Sequence, residues 1–102
     1  MASLVVMYGV PDDAAAFDRH YFEHHVPLAK QIPGLRRYDV STGLVATPAG
    51  PSKFHLIATL EFDDMAAIQN AFASAEGQAA AADVQAFATG GAEMIMFDDR
   101  QV

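Results

Sequence analysis

Cysteine is absent from the 102 residues, which excludes disulfides, thiolate nucleophiles and Cys-ligated zinc or iron–sulfur centres. Basic residues are scarce: six Lys and Arg stand against thirteen Asp and Glu, for a formal net charge of −7. Apart from the pair Arg36-Arg37 the positive charges are scattered, so no basic stripe exists to neutralise phosphates and no nucleic-acid partner is expected. The acidic excess bears on solubility and not on fold. No apolar run approaches the roughly 18 to 20 residues that cross a bilayer. The short run Leu4–Met7 follows no basic residue, unlike a secretory leader. The expectation is a cytoplasmic protein with no membrane partner. There is also no G-x-G-x-x-G after a strand and no P-loop, so no cofactor is expected. The length suits one domain, residues 1–102, with one modest core and no room for a separate cofactor-binding unit.

What is present has a clear period. Leu4 to Tyr8 is a short apolar run ending at Gly9-Val10-Pro11-Asp12, a buried first strand and turn. Asp12 or Asp13 is placed to cap a helix with Ala14, Phe17, Tyr21, His24 and Leu28 on one face and His25 at its edge. Pro27 biases Val26 away from helical dihedrals, so the regular helix should end near His25 or go on only as an irregular turn. Ile32-Pro33-Gly34 breaks the chain, Leu35 to Leu44 reads as a strand, and Ala46 to Ser52 is rich in turn residues. Lys53 to Phe62 alternates most cleanly, with Phe54, Leu56, Ala58, Leu60 and Phe62 opposite Lys53, His55, Ile57, Thr59 and Glu61. Asp63 or Asp64 caps a second helix with Met65, Ile68 and Phe72 inward, and Gly77 is placed to end or kink it. Ala79 to Phe87 reads as further helix, Gly90-Gly91 as its stop, and Ala92 to Phe97 as a last strand.

The order βαββαβ predicts an α+β, ferredoxin-like domain: a four-stranded antiparallel sheet with its helices on one face. One helical layer covers one side only. The other side, including Ile57, is most simply buried by a second copy, so a homodimer is expected.

Phe17, Tyr21, Phe22, His25, Pro27 and Leu28, followed by Pro33-Gly34-Leu35 and Tyr38, resemble the EthD family. Leu60-Glu61-Phe62, Ser74, Glu76-Gly77, Asp83, Phe87-Ala88 and Gly90-Gly91 extend that resemblance over nearly the whole chain. It implies a dimeric α+β barrel, related in shape to muconolactone isomerases, small quinone-forming monooxygenases and aromatic polyketide cyclases. The family takes its name from ethyl tert-butyl ether degradation, and its members are often labelled reductases; no redox motif in this chain supports that label.

The resemblance places a histidine at position 25, and a histidine near a helix C-terminus is favoured as imidazolium by the macrodipole. His25 is therefore the first candidate catalytic residue, with capping of the last turn as its structural alternative. Tyr21, one turn earlier, and Tyr38, after the Pro-Gly-Leu turn, are the other two candidates; either phenol could meet His25 between helix and sheet. His20 and His24 share a helix face, but no carboxylate spacing completes a tetrahedral set and no metal is expected. His55, if Phe54 and Leu56 pack on the helices, points to the opposite sheet face. Asp83 and Glu76 read as helix-capping acids. Two functions follow: cofactor-independent acid–base chemistry on a small hydrophobic or aromatic molecule (isomerase, cyclase or monooxygenase type), or non-catalytic binding in support of a neighbouring oxygenase system.

Overall fold

The computed structural model describes residues 1–102. Four strands form one sheet: β1 (Ala2–Gly9), β2 (Arg37–Val40), β5 (Phe54–Phe62) and β6 (Ala92–Asp98), in the order β2-β5-β1-β6 with every neighbouring pair antiparallel. A small hairpin, β3 (Ala46–Thr47) with β4 (Gly50–Pro51), occupies the turn-rich stretch. The strand between the turns is shorter than the Leu35 to Leu44 run suggests: its ladder with β5 covers Arg37 to Val40, and single backbone bonds from the Arg36 and Ser41 N–H groups to Glu61 and Ile57 end the pairing. Alternation then sorts the sheet. Ala2, Leu4, Val6 and Tyr8 of β1 and Leu56, Ala58, Leu60 and Phe62 of β5 are all buried on the helical side. The fold is α+β and ferredoxin-like, as the period changes predict.

The first helical segment is α1 (Ala14–His20), a π-helical turn (Tyr21–His25) and α2 (Val26–Ala29) in succession. Asp13 caps it, its carboxylate accepting from the Ala16 N–H at 3.1 Å. The helix does not end at His25. Val26 keeps helical dihedrals (φ −57°, ψ −47°) and its N–H donates to the Tyr21 carbonyl, five residues back. Pro27 falls in the first turn of α2, where a missing N–H is tolerated.

This turn changes which residues face the sheet. In an α-helix, steps of four residues drift by about 40° each, and the wider π turn rotates the chain back. Phe17, Tyr21, His25 and Ala29 therefore share the buried face, while His24 is exposed. The expected face through His24 and Leu28 is displaced by one residue after Tyr21, and His25 moves from its edge to its centre.

The second helical layer is α3 (Met65–Ala73) and α4 (Ala75–Phe87). Asp64 caps α3 through the Ala67 N–H, 2.7 Å away. The break between the two falls at Ser74, not at Gly77: Ser74 leaves helical space (ψ 162°) and its hydroxyl accepts from the Gly77 N–H at 3.0 Å. Gly77 lies inside α4 for a different reason. A Cβ there would sit 2.1 Å from the Ala71 carbonyl oxygen, so only glycine lets α4 start so close to α3. Ala80 and Val84 of α4 are buried, and the alanines around them bring the helix up against the π turn and α2.

Candidate active site

The side chains of the site come from both helical layers and from the sheet. The buried helical face presents Phe17, Tyr21 and His25; β1 contributes Tyr8, β2 contributes Tyr38, and α4 contributes Asp83 and Phe87. The rings of Tyr8, Phe17, Tyr21 and Phe87 pack with centroids 5.2 to 6.0 Å apart. Phe87 also lies against both His20 (4.9 Å) and His25 (5.0 Å).

His25 is 5% exposed and is tied by Nδ1 to the Asp83 carboxylate at 2.9 Å. The other oxygen of that carboxylate takes His20 Nε2 at 2.9 Å, with the first oxygen 3.1 Å from the same nitrogen. An ionised carboxylate only accepts, so both imidazoles donate to it, and His25 is held as the Nδ1–H tautomer with Nε2 bare. Asp83 is thus no helix cap. It sits one turn from the end of α4, where its side chain crosses to the π turn.

Tyr21 and Tyr38 meet hydroxyl to hydroxyl at 2.6 Å, and the Tyr21 ring lies 5.3 Å from the His25 ring. Neither phenol bonds to His25. All three, with Tyr8, line an interior cavity of about 30 Å³ whose remaining walls are aliphatic or aromatic. The Tyr8 hydroxyl and His25 Nε2 have no protein partner, and both residues line this cavity. Its volume suits one or two waters.

Burial sets the electrostatics. Desolvation lowers the His25 pKa below its ordinary 6.5, and the Asp83 hydrogen bond and charge only partly oppose it. The imidazolium that a helix C-terminus would favour is not the resting form, because the helix continues past His25 and the dry surroundings outweigh any terminal dipole. Burial likewise raises Tyr8, Tyr21 and Tyr38 above the ordinary phenol value. The two hydroxyls share one hydrogen bond, in which either can be the donor. A neutral base and neutral phenols therefore share one apolar space.

His20 and His24 stack on each other with centroids 5.1 Å apart. No three His, Asp or Glu side chains are arranged to hold a metal ion, and no helix is long and apolar enough to cross a membrane. His55 departs from expectation. Gly9 opposes Phe54 and Tyr8 opposes Leu56, which leaves His55 as the extra residue of a β-bulge. The bulge turns His55 to the helical side, where its ring meets Phe17 edge-on at 5.1 Å and Nε2 reaches Asp18 at 2.8 Å. Strict alternation therefore fails at this one residue.

Asp83, Tyr8 and Phe87 were not among the sequence candidates. Asp83 left one signal: it is the only acid between Glu76 and Glu93, in an alanine-rich helix whose buried face runs through Gly77, Ala80 and Val84. A single carboxylate beside such a face has to find a partner across the interface.

Known proteins agree with this architecture. The EthD domain model matches residues 12–91, a span that includes His25, Tyr38 and Asp83. An uncharacterized 11.0 kDa protein in the thcB-thcC intergenic region of Rhodococcus erythropolis is 41% identical over 102 residues, covering 100% of this chain and 98% of that one. The crystal structure of an EthD family protein from Bacillus halodurans is similar with a TM-score of 0.90 and 36% identity, over 98% of this chain and 99% of that chain. SnoaB, a cofactor-independent oxygenase from Streptomyces nogalater, shares the fold with a TM-score of 0.70 and 18% identity, over 99% of this chain and 94% of that chain. With the model match spanning most of its length and both closer relatives covering it end to end, this chain belongs to the EthD family.

Proposed function

We propose that this protein performs cofactor-independent acid–base chemistry on a small apolar or aromatic molecule, with His25 as the proton acceptor and donor and Tyr21 and Tyr38 as its hydroxyl partners. The observation that carries the reading is the buried His25–Asp83 pair, which leaves Nε2 bare in an apolar cavity. A neutral imidazole whose pKa lies below 6.5 is unprotonated at neutral pH and ready to accept a proton. When Nε2 takes a proton from an acidic C–H or O–H of the substrate, Asp83 stabilises the imidazolium that forms. In this reading the Tyr21–Tyr38 pair donates a hydrogen bond to the substrate oxygen on which negative charge develops.

Isomerisation, aldol-type ring closure and oxygenation by dioxygen all begin with such a proton removal, and SnoaB, which shares the fold, is a cofactor-independent oxygenase. At about 30 Å³ the cavity takes only a few atoms. A ring-sized substrate therefore requires this cavity to widen on binding, and burial of the bound ring would exclude water.

The protein works, in this reading, as a cytoplasmic homodimer. The open sheet face carries Val5, Met7, Ile57, Ile95 and Phe97, with Ile95 50% and Phe97 42% exposed, a band of apolar surface that a second copy would cover. Sedimentation should give a dimer, and Ile95→Lys should give monomers. A monomeric wild type would refute the assembly.

The catalytic reading is tested by incubating the purified protein, without additives and under air, with a panel of enolisable and hydroxylated aromatic compounds. Turnover of at least one is expected, falling by about 10²- to 10⁴-fold in His25→Ala. If His25→Ala turns the accepted compound over at the wild-type rate, the role given to His25 is wrong. If no compound reacts but some bind, the non-catalytic binding role replaces it.

A further inference from the structure

The molecule has a second histidine–aspartate pair, and it stands at a much larger opening. A cleft of about 720 Å³ runs between α1, the π turn and the β2–β5 connection, and His55 and Asp18 form part of its wall. That is the size of a small-molecule site, whereas the cavity at His25 is about 30 Å³. The cleft and the cavity are built from different side chains, with His55 and Asp18 on one and His25 and Asp83 on the other.

Three features converge on His55. The bulge spends one unpaired residue of β5 to turn this side chain toward the helices, and bulges serve to re-aim side chains in this way. The Asp18 carboxylate, 2.8 Å from Nε2, accepts the Nε2–H and fixes the tautomer, leaving Nδ1 as a bare acceptor. No protein group bonds Nδ1, which is not fully enclosed, and His55 lines the cleft. Around it stand Phe22, Leu44 and Phe54, and both Phe22 (50%) and Leu44 (72%) expose their apolar surface.

These properties select a ligand. Aromatic and aliphatic walls take a flat apolar ring. A bare imidazole nitrogen takes a hydrogen-bond donor. The half-exposed Asp18 beside it, in a chain of net charge −7, repels a carboxylate or a phosphate. We infer that this cleft is a second binding site, specific for neutral hydroxylated aromatic compounds whose hydroxyl donates to His55 Nδ1.

The experiment uses the full chain and two probes of nearly equal shape, 2-naphthol and 2-methoxynaphthalene, with binding followed by fluorescence. Wild type should bind 2-naphthol about tenfold more tightly than the methyl ether, the worth of one hydrogen bond. His55→Phe, which keeps an aromatic wall, should remove that preference. Leu44→Asp, a substitution at an exposed position that the fold tolerates, should weaken both probes. Equal affinity of the two probes for wild type overturns the proposal. So does a preference that survives in His55→Phe, unchanged affinity of both probes in Leu44→Asp, or no saturable binding at all. Because the readout is binding at His55, its failure would leave the acid–base reading of His25 standing, and the reverse also holds.

Discussion

The two histidine–aspartate pairs are chemically alike and physically different. In His25–Asp83 the side chains are 7% and 16% exposed; in His55–Asp18 they are 23% and 50% exposed. Both hydrogen bonds are short, at 2.9 and 2.8 Å. Distance alone would rank them as equals. Their surroundings do not: burial pushes the His25 pKa down, and the second imidazole on Asp83, that of His20, opposes protonation further. In this fold burial, more than pairing, separates a base held neutral in the interior from an acceptor held near the surface.

Substitutions at the two pairs test that contrast. The largest effect is expected on turnover. Asp83→Asn keeps a hydrogen-bonding side chain against His25 but removes the charge that stabilises the imidazolium, and the rate should fall by about 10²-fold. Steady-state kinetics of a correctly folded Asp83→Asn protein checks this; an unchanged rate would reduce Asp83 to a structural tie.

Stability comes next. Asp83→Ala leaves a buried Nδ1–H without an acceptor and should cost about 2 to 3 kcal/mol, whereas Asp18→Ala, at a half-exposed position, should cost less than about 1 kcal/mol. Urea unfolding of both variants measures the difference, and equal losses would contradict the ranking by burial.

The pH dependence follows the same line. Because the His25 pKa is lower in the folded chain than the unfolded 6.5, the unfolded state binds more protons between those values. His25 thus contributes no penalty above about pH 6.5, and stability is lost as pH falls through the folded pKa. Unfolding curves between pH 8 and pH 5 should show this decline in wild type and a smaller one in His25→Phe. A His25→Phe protein with the wild-type slope would show that His25 is not the group responsible.

Smaller effects are expected away from Asp83. Tyr21→Phe removes the hydroxyl that shares a hydrogen bond with Tyr38 and should cost about 1 kcal/mol. His24→Ala, which deletes an exposed ring stacked on His20, should stay within about 0.5 kcal/mol. A larger cost at His24 than at Tyr21 by calorimetry would reverse the assignment of inner and outer faces.

Much of the frame was legible from neighbouring residues. The even positions of β1 and β5 from Leu56 onward declare their buried side, Asp13 and Asp64 act as caps, and the resemblance singled out His25 and Tyr38. The reading stopped where an element departs from its own period. One π turn moved the buried face from His24 to His25, one bulge reversed the direction of His55, and neither leaves a mark in hydropathy. Gly77 misled in another way, since a glycine that permits close helix contact looks, in sequence, like one that stops a helix.

By itself the sequence determined the order of elements, their caps, the antiparallel ferredoxin-like sheet and an apolar face in need of cover. These depend on periodicity and on side chains within one or two turns of each other. Only the tertiary structure decided that His25 meets Asp83, 58 residues away, and that His55 meets Asp18, 37 residues away. The physical reason is that such pairs are selected by how helices and sheet pack. An alanine-rich α4 can approach the π turn closely enough for a carboxylate to cross, and a bulged β5 turns a histidine toward α1; no local preference of the residues concerned encodes either distance.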